Sequence, residues 1–263
     1  EKEISILRKG LSDLKTGHGS IISVIGNAGT GKSRLIEEFK GLIDQNEIQW
    51  REGRAYEYSH DIPYSPLIDL LRRTMLIHED YTPEQIKSKL ESRYRFLLAD
   101  RSDLMPYLGS LFSLSYDSLE EISPEMWKAK LREAIQTIIA NISRKIPTVI
   151  CFEDLHWADP SSIKLLRTIL SDFNLPILMV CTYRPPFTLF EGPPGDSGIL
   201  HNEIILNDLS SHESYMMIES FLGSADLPEE LRLFIETKAE GNPFYIEELL
   251  RSLVEMKALT KED

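Results

Sequence analysis

The stretch Ser20-Ile21-Ile22-Ser23-Val24-Ile25-Gly26-Asn27-Ala28-Gly29-Thr30-Gly31-Lys32-Ser33 decides the fold. A run of β-formers, Ser20 to Ile25, passes through a glycine-rich turn into the helical pattern that starts at Lys32. The last eight residues fit G-x-x-x-x-G-K-[ST], and the strand before them and helix after them are the context that string requires. In such a loop successive amides point inward around a phosphate, the glycines let the backbone come close, and the helix N-terminus favours an anion. An ordinary glycine-rich turn is the competing reading, and the flanking elements count against it. The candidate nucleotide-binding residues are Gly26, Asn27, Ala28, Gly29, Thr30, Gly31, Lys32, Ser33 and Arg34. Lys32 is expected to bridge the terminal phosphates, and the Ser33 hydroxyl to coordinate Mg²⁺. No N-K-x-D string occurs to read guanine, so the expected ligands are ATP and ADP.

Outward from the loop, four more runs read as strands: Gln49 to Tyr56, Thr148 to Phe152, Ile177 to Thr182 and Glu203 to Leu206. Three of the five strand runs are almost wholly apolar, as parallel strands covered by helices on both faces tend to be. Helical patterns at Lys32 to Gln45, Lys128 to Ile146 and Pro160 to Phe173 separate them, which predicts an α/β fold with a mainly parallel sheet. The long gap between the second and third strands, about 57–146, reads as a helical insertion, with helix starts at Thr82-Pro83-Glu84-Gln85 and Ser123-Pro124. After the last strand only helices follow. Ser210 with Glu213 makes a capping box, Leu227-Pro228 opens a segment, and Gly241-Asn242-Pro243 ends one helix and starts the next. This divides the chain into a core domain at 1–207 and a helical lid at 208–263. The Pro- and Gly-rich run between Arg184 and Gly198 predicts a mobile loop.

The third strand ends in two adjacent carboxylates, Glu153 and Asp154. Beside a phosphate loop in the same chain, one carboxylate holds Mg²⁺ through water and the other orients or activates the attacking water. Order alone gives Glu153 the metal and Asp154 the catalytic position. Asp159, just before Pro160, reads as a helix N-cap and not as a further catalytic acid. His156 and Trp157 read as surface or packing residues. Arg184 ends the fourth strand, and ligands in open α/β sheets bind beyond the carboxyl ends of the strands, so its guanidinium is a candidate to stabilise charge on the terminal phosphate.

Composition narrows the classes. The chain has 263 residues, 42% hydrophobic and 27% charged, which supports a folded core and argues against disorder or coiled coil. A net charge of −13 repels phosphate backbones and anionic lipid, so direct nucleic-acid or membrane binding is not expected. The sequence has no run long and apolar enough for a membrane span and no signal-peptide layout at its start, from which a cytoplasmic location is expected. Cys151 and Cys181 lie inside apolar strand runs and are expected to be buried hydrophobes. The first residue is not Met, and a piece of a longer polypeptide is expected.

The segments GNAGTGKS, IPYSPLIDLLR, VICFEDLHWADPSS, CTYRP and EGNPFYIEELLRSL stand in order over nearly the whole chain. Together they resemble the signal-transduction ATPases with numerous domains (STAND), and in particular the AAA-type module found beside nucleotide cyclase, protein kinase or LuxR-like regulator domains. The resemblance implies a five-stranded parallel sheet of order 5-1-4-3-2 with a helical domain closing over the nucleotide. It implies that Arg184 is a sensor arginine and that Gly241-Asn242-Pro243 is the G-x-P motif, with Pro243 against the adenine. The resemblance further implies a Gly-Arg ahead of the first Glu-Lys-Glu and a winged helix beyond Lys261, which a longer polypeptide is expected to supply, and Glu153 stands where Asp is commoner. The expected function is a slow ATPase acting as a switch, self-associating when ATP is bound and working on other domains of the same polypeptide. A non-hydrolysing scaffold that docks partners on the insertion around Tyr64 to Leu114, and a DNA-associated AAA ATPase, are the alternatives.

Overall fold

The computed structural model describes residues 2–171, 175–190, 200–223 and 228–256. The expectations placed on Phe173, on 191–199 of the Pro/Gly-rich run, on Leu227 and on the chain beyond Lys261 lie outside the described residues. The chain divides into two compact units, Glu1–Val24 with Phe39–Ile204, and Ile25–Glu38 with Ile205–Asp263.

The strands are β1 (Ser20–Gly26), β2 (Gln49–Arg54), β3 (Thr148–Glu153), β4 (Ile177–Tyr183) and β5 (His201–Leu206). They form one parallel sheet of order β2-β3-β4-β1-β5, the expected order read from its other edge. The three central strands are the three apolar runs, and β4 is buried at every residue. The edges are more exposed, and Ile205 on β5 lies open to solvent. β2 pairs with β3 in a register that sets Arg54 opposite Glu153. It stops two residues short of Tyr56, because Tyr56 already belongs to a turn in which its N–H donates to Ser59 Oγ at 3.3 Å.

Around the sheet in the first unit lies a helix the sequence reading did not anticipate, α1 (Lys2–Lys15). Leu7, Leu11 and Leu14 share its buried face. A Cβ at Gly10 would come 2.9 Å from Ile22 Cδ1, so glycine lets α1 lie directly on the sheet. Helix α2 (Lys32–Gly41) ends four residues before Gln45. Asp44 Oδ1 accepts the Asn46 N–H at 2.9 Å, offering the backbone a local alternative to another helical turn.

The insertion carries α3 (Ser65–Met75), α4 (Pro83–Leu98), α5 (Met105–Ser110) and α6 (Pro124–Ser143). The Thr82/Gln85 capping box is formed, and Ser123 caps α6, which starts before Lys128 and ends before Ile146. Leu131, Ile135, Ile138, Ile139 and Ile142 make its buried stripe. Helix α3 seats on β2 at Gly53, where a Cβ would lie 2.5 Å from Pro66 O and 2.9 Å from Leu70 Cβ. Helix α7 (Pro160–Ser171) buries Ile163, Leu166, Ile169 and Leu170. Cys151 and Cys181 are free and buried; burial lifts the Cys181 thiol to about 12 and Cys151 well above its ordinary value, so both stay protonated.

The second unit holds the phosphate loop with most of α2, the end of β5, and the helices α8 (Ser211–Leu222), α9 (Glu229–Ala239) and α10 (Pro243–Glu255). The Ser210/Glu213 capping box opens α8. Ile218, Leu222, Ile235, Ala239, Ile246 and Leu250 form the core of the three-helix cluster, one apolar position per helical turn or so.

Candidate functional site

The loop after β1 has the geometry its sequence predicts. Gly29 and Gly31 adopt φ of +81° and +92°, the left-handed conformation that alternates amide directions and builds an anion nest. A Cβ at Gly31 would meet nothing within 4 Å, so the loop backbone there faces open space into which an anion can come close. Thr30 is buried and its hydroxyl donates to Asn27 O at 3.0 Å, tying the loop across itself. Lys32 Nζ donates to Gly26 O and Asn27 O, both at 2.7 Å, which holds the ammonium against the loop. Ser33 and Arg34 are exposed in the first turn of α2. These residues fit a nucleotide phosphate: a nest of amides, a buried cation tied to the loop, and a hydroxyl at a helix N-terminus of the hard-oxygen type that Mg²⁺ prefers.

The loop is gripped by the start of α10. Asn242 Nδ2 donates to Ala28 O at 2.8 Å, and the Phe244 N–H donates to Gly29 O at 3.2 Å. Asn242 also caps α10, its Oδ1 accepting the Phe244 N–H at 3.2 Å. Gly29 is thus required twice, by its φ and because a Cβ would collide with the Asn242 side chain. Gly241 (φ +78°) passes against Leu209, whose N–H donates to Gly241 O at 2.7 Å. The sequence reading placed Pro243 in this motif; the structure places it at the first position of α10, with its two neighbours holding the phosphate loop.

In the first unit, β3 carries the two carboxylates to its carboxyl end. Glu153 is its last residue, with its carbonyl accepting the Ala55 N–H at 3.0 Å. Asp154 turns the chain with φ +58°, and its N–H donates to Thr182 Oγ1 at 3.0 Å. Arg54, absent from the sequence-based candidates, holds the Asp154 carboxylate: Nε and Nη2 donate to Oδ2 at 3.2 and 2.8 Å. Burial disfavours the Arg54 charge, but the hydrogen bonds and negative charge of Asp154, with Glu153 nearby, outweigh it and raise the Arg54 pKa. Arg54 is fixed in turn by α3, since its N–H donates to Asp69 Oδ2 at 2.8 Å. The same Asp69 oxygen accepts from Arg73 Nε at 2.8 Å, and Arg73 reaches Glu52. The signal that could have found Arg54 is the parallel pairing of β2 with β3, which puts the last residues of both strands side by side.

Arg184 follows Tyr183, which is fully buried and hydrogen-bonded to Ser23; burial lifts its phenol to about 12. This anchors the strand end from which Arg184 departs. Arg184 Nε is buried and finds no hydrogen-bond partner among the described residues. A buried guanidinium nitrogen of that kind suits an anionic ligand.

Asp159 behaves as a cap. Its Oδ1 accepts the Ser162 N–H at 2.9 Å, and its Oδ2 accepts the Ser162 hydroxyl and the Tyr64 N–H, the latter at 2.9 Å. His156 and Trp157 lie in one short turn with their rings 5.0 Å apart, and the Trp157 carbonyl is 3.3 Å from His60 Nδ1. Among the described residues there is no group of three or more His, Cys, Asp or Glu placed to hold a metal, and no helix long and apolar enough to cross a membrane.

A family model described as AAA ATPase domain matches residues 1–180, and one described as a domain of unknown function matches residues 210–263. An uncharacterized protein of Rhizobium meliloti is 24% identical over 259 residues, 95% of this chain and 24% of that protein. The peroxide stress-activated histidine kinase mak2 of Schizosaccharomyces pombe is 22% identical over 267 residues, 90% of this chain and 11% of that protein. The chain therefore spans about a quarter and about a tenth of these two relatives. Among solved structures, a STAND protein with a tetratricopeptide repeat sensor from Pyrococcus horikoshii superposes with TM-score 0.42 and 13% identity, over 90% of this chain and 28% of that one. A Drosophila ORC structure bound to DNA gives TM-score 0.46 and 16% identity, over 97% of this chain and 55% of that one. The family match over residues 1–180 takes in the phosphate loop, both carboxylates and four helices of the insertion, and by it the chain belongs to the AAA ATPase domain family.

Proposed function

We propose that the chain is a STAND-type module that binds ATP or ADP with Mg²⁺, hydrolyses ATP slowly, and uses the nucleotide state to move the lid at 208–263. The observation that carries this reading is the grip of Asn242 and Phe244 on the carbonyls of Ala28 and Gly29. Any change in the loop backbone that accompanies gain or loss of a terminal phosphate acts on α10 through these two bonds. A ligand shifts a conformational equilibrium only through contacts that differ between states, and these two bonds are the candidates for such contacts.

In this reading Gly26 to Gly31 present amides to the phosphates, Lys32 and Arg184 balance their charge, and Ser33 with Glu153 holds the metal. Bound Mg²⁺ would supply further charge neutralisation and would order the phosphate oxygens. Asp154 orients the attacking water. The water oxygen bonds to the terminal phosphorus as the bond to the bridging oxygen breaks, and the displaced proton leaves with the products, ADP and inorganic phosphate. Pro243 is assigned to the adenine. The partners are other domains of the same polypeptide and, in the ATP state, further copies of the chain.

One observation favours a second reading, a nucleotide-bound scaffold without turnover: Arg54 already takes up Asp154 Oδ2. A DNA-associated role like that of the ORC structure is disfavoured by the net charge of −13. The test is to denature the purified chain and identify released nucleotide by ion-exchange chromatography, in wild type and Lys32→Ala, and then to follow phosphate release in single turnover with Asp154→Asn. ADP in wild type, none in Lys32→Ala, and slowed release in Asp154→Asn support the switch. Retained nucleotide with no measurable release in either wild type or Asp154→Asn moves the scaffold to the front.

A further inference from the structure

Between α6 and α7, away from the phosphate loop in sequence, lies a cavity of about 300 Å³ that no part of the ATPase chemistry uses. Its walls are two helical stripes. On α6 they are positions 125, 128, 129 and 132, and on α7 positions 161, 164, 165 and 168, each set repeating once per turn. These positions lie beside the buried stripes of the two helices, and the charged side chains among them are exposed. They carry Lys128 and Arg132 on one side and Lys164 on the other.

Three cations around one cleft repel each other. None has an ion pair or side-chain hydrogen bond among the described residues. Glu133, next to Arg132 in sequence, points to other partners and pairs with Lys130 and Arg101 at 2.9 and 2.6 Å. Asp159 at the foot of α7 has both oxygens engaged. Glu125 is the one carboxylate on the lining, so positive charge is in excess within a chain of net charge −13. The lining is apolar at Leu165, which is buried, and at Ala129, which is exposed. Tyr64, buried and packed against Trp127 with ring centroids 5.6 Å apart, closes one end, hydrogen-bonded to Ser161.

We propose that this cleft binds a small organic anion, a phosphate ester or dicarboxylate whose charged end sits among Lys128, Arg132 and Lys164 and whose carbon body lies on Leu165 and Ala129. The volume suits a ligand of sugar-phosphate size, and the hydroxyls of Tyr64 and Ser161 suit its polar groups. Tyr64 also makes the site an effector site. Its N–H is held by Asp159, five residues after Asp154, and it opens α3, whose Asp69 fixes the backbone of Arg54. A ligand that shifts Tyr64 therefore works on the pair formed by Arg54 and Asp154. This coupling, unlike the binding itself, rests on the ATPase reading.

The experiment is isothermal titration at fixed ionic strength with glucose 6-phosphate, 3-phosphoglycerate and 2-oxoglutarate, and glucose as neutral control, on wild type, Lys164→Glu, Lys128→Glu and Lys32→Ala. Circular dichroism checks that each variant is folded. At least one anion is expected to bind with Kd below about 1 mM, to lose at least about tenfold in affinity in Lys164→Glu and Lys128→Glu, and to be unchanged in Lys32→Ala. Which anion binds separates the phosphate ester from the dicarboxylate. No binding by any of the three, binding untouched by both charge reversals, or binding abolished in Lys32→Ala overturns the site. The bound anion is further expected to change phosphate release in wild type and not in Lys164→Glu; binding without that change overturns the coupling and leaves the site standing.

Discussion

Substituting Asp159 with Ala tests whether this carboxylate is architecture or chemistry. The side chain is 3% exposed, caps α7 through the Ser162 N–H, and accepts the N–H of Tyr64, a residue held at φ +64°. Loss of an N-cap costs about 1 kcal/mol. A buried N–H left without a partner costs roughly 1–3 kcal/mol more. The sum, about 2–4 kcal/mol, corresponds at roughly 2–4 °C per kcal/mol for a unit of this size to a fall in the unfolding midpoint of about 5–15 °C. Asp159→Asn keeps one oxygen for Ser162 but turns an NH₂ toward Tyr64, and is expected to fall between. The assay is differential scanning calorimetry, with nucleotide content measured on the same preparations well below the transition. Nucleotide should be retained in both variants. An Asp159→Ala midpoint within about 1 °C of wild type, with phosphate release lost, would refute the capping argument and place the carboxylate in the chemistry.

Three further outcomes follow from the same geometry. Arg54→Gln removes a bridge whose arginine is 43% exposed, so it should cost no more than about 1 kcal/mol in thermal unfolding while raising single-turnover phosphate release several-fold; an unchanged rate would show that Arg54 does not restrain Asp154. Gly29→Ala forces a side chain into the left-handed region and against Asn242, and should cost about 1–3 kcal/mol and lose bound nucleotide, read by calorimetry and by nucleotide content. His201 is hydrogen-bonded to Ser23 at 3.0 Å, and burial lowers its pKa. Below its unfolded value near 6.5 the unfolded chain binds the proton and the folded chain resists it, so the stability present above that pH is lost as pH falls toward the folded value. His201→Gln should flatten the drop in unfolding midpoint between about pH 7 and pH 5.5; an equal slope in both proteins would remove His201 as its source.

Much of this molecule is local and therefore readable from sequence. The phosphate loop is a contiguous string whose glycines dictate its backbone, and the capping boxes at Thr82 and Ser210 bind groups three residues apart. The buried strands announce themselves because both faces are covered. What escaped reading depends on distance along the chain. Arg54 meets Asp154 across 100 residues, and Asn242 meets Ala28 across 214, so neither pairing has a local signature. Helix α1 escaped for a different reason. Its three leucines are spaced among charges, and although Gly17 closes the helix with the His18 N–H on Asp13 O, only the close approach at Gly10 reveals what it packs on. The shortened α2 shows a side chain of Asp44 outcompeting a helical pattern that continued past it.

The pairing of β2 with β3 has a consequence for how the chain reaches its structure. Gln49 lies beside Thr148, so the whole insertion must be looped out before the first rung of that ladder closes. For a flexible loop of that length the closure entropy is about 4 kcal/mol, which no single strand contact repays. Helices α3 to α6 shorten the effective loop as they form, and α3 then lands on Gly53 and presents β2 to the sheet. The edge of the sheet is accordingly expected to be the late, slow step of folding, set by the insertion and not by the strands it separates.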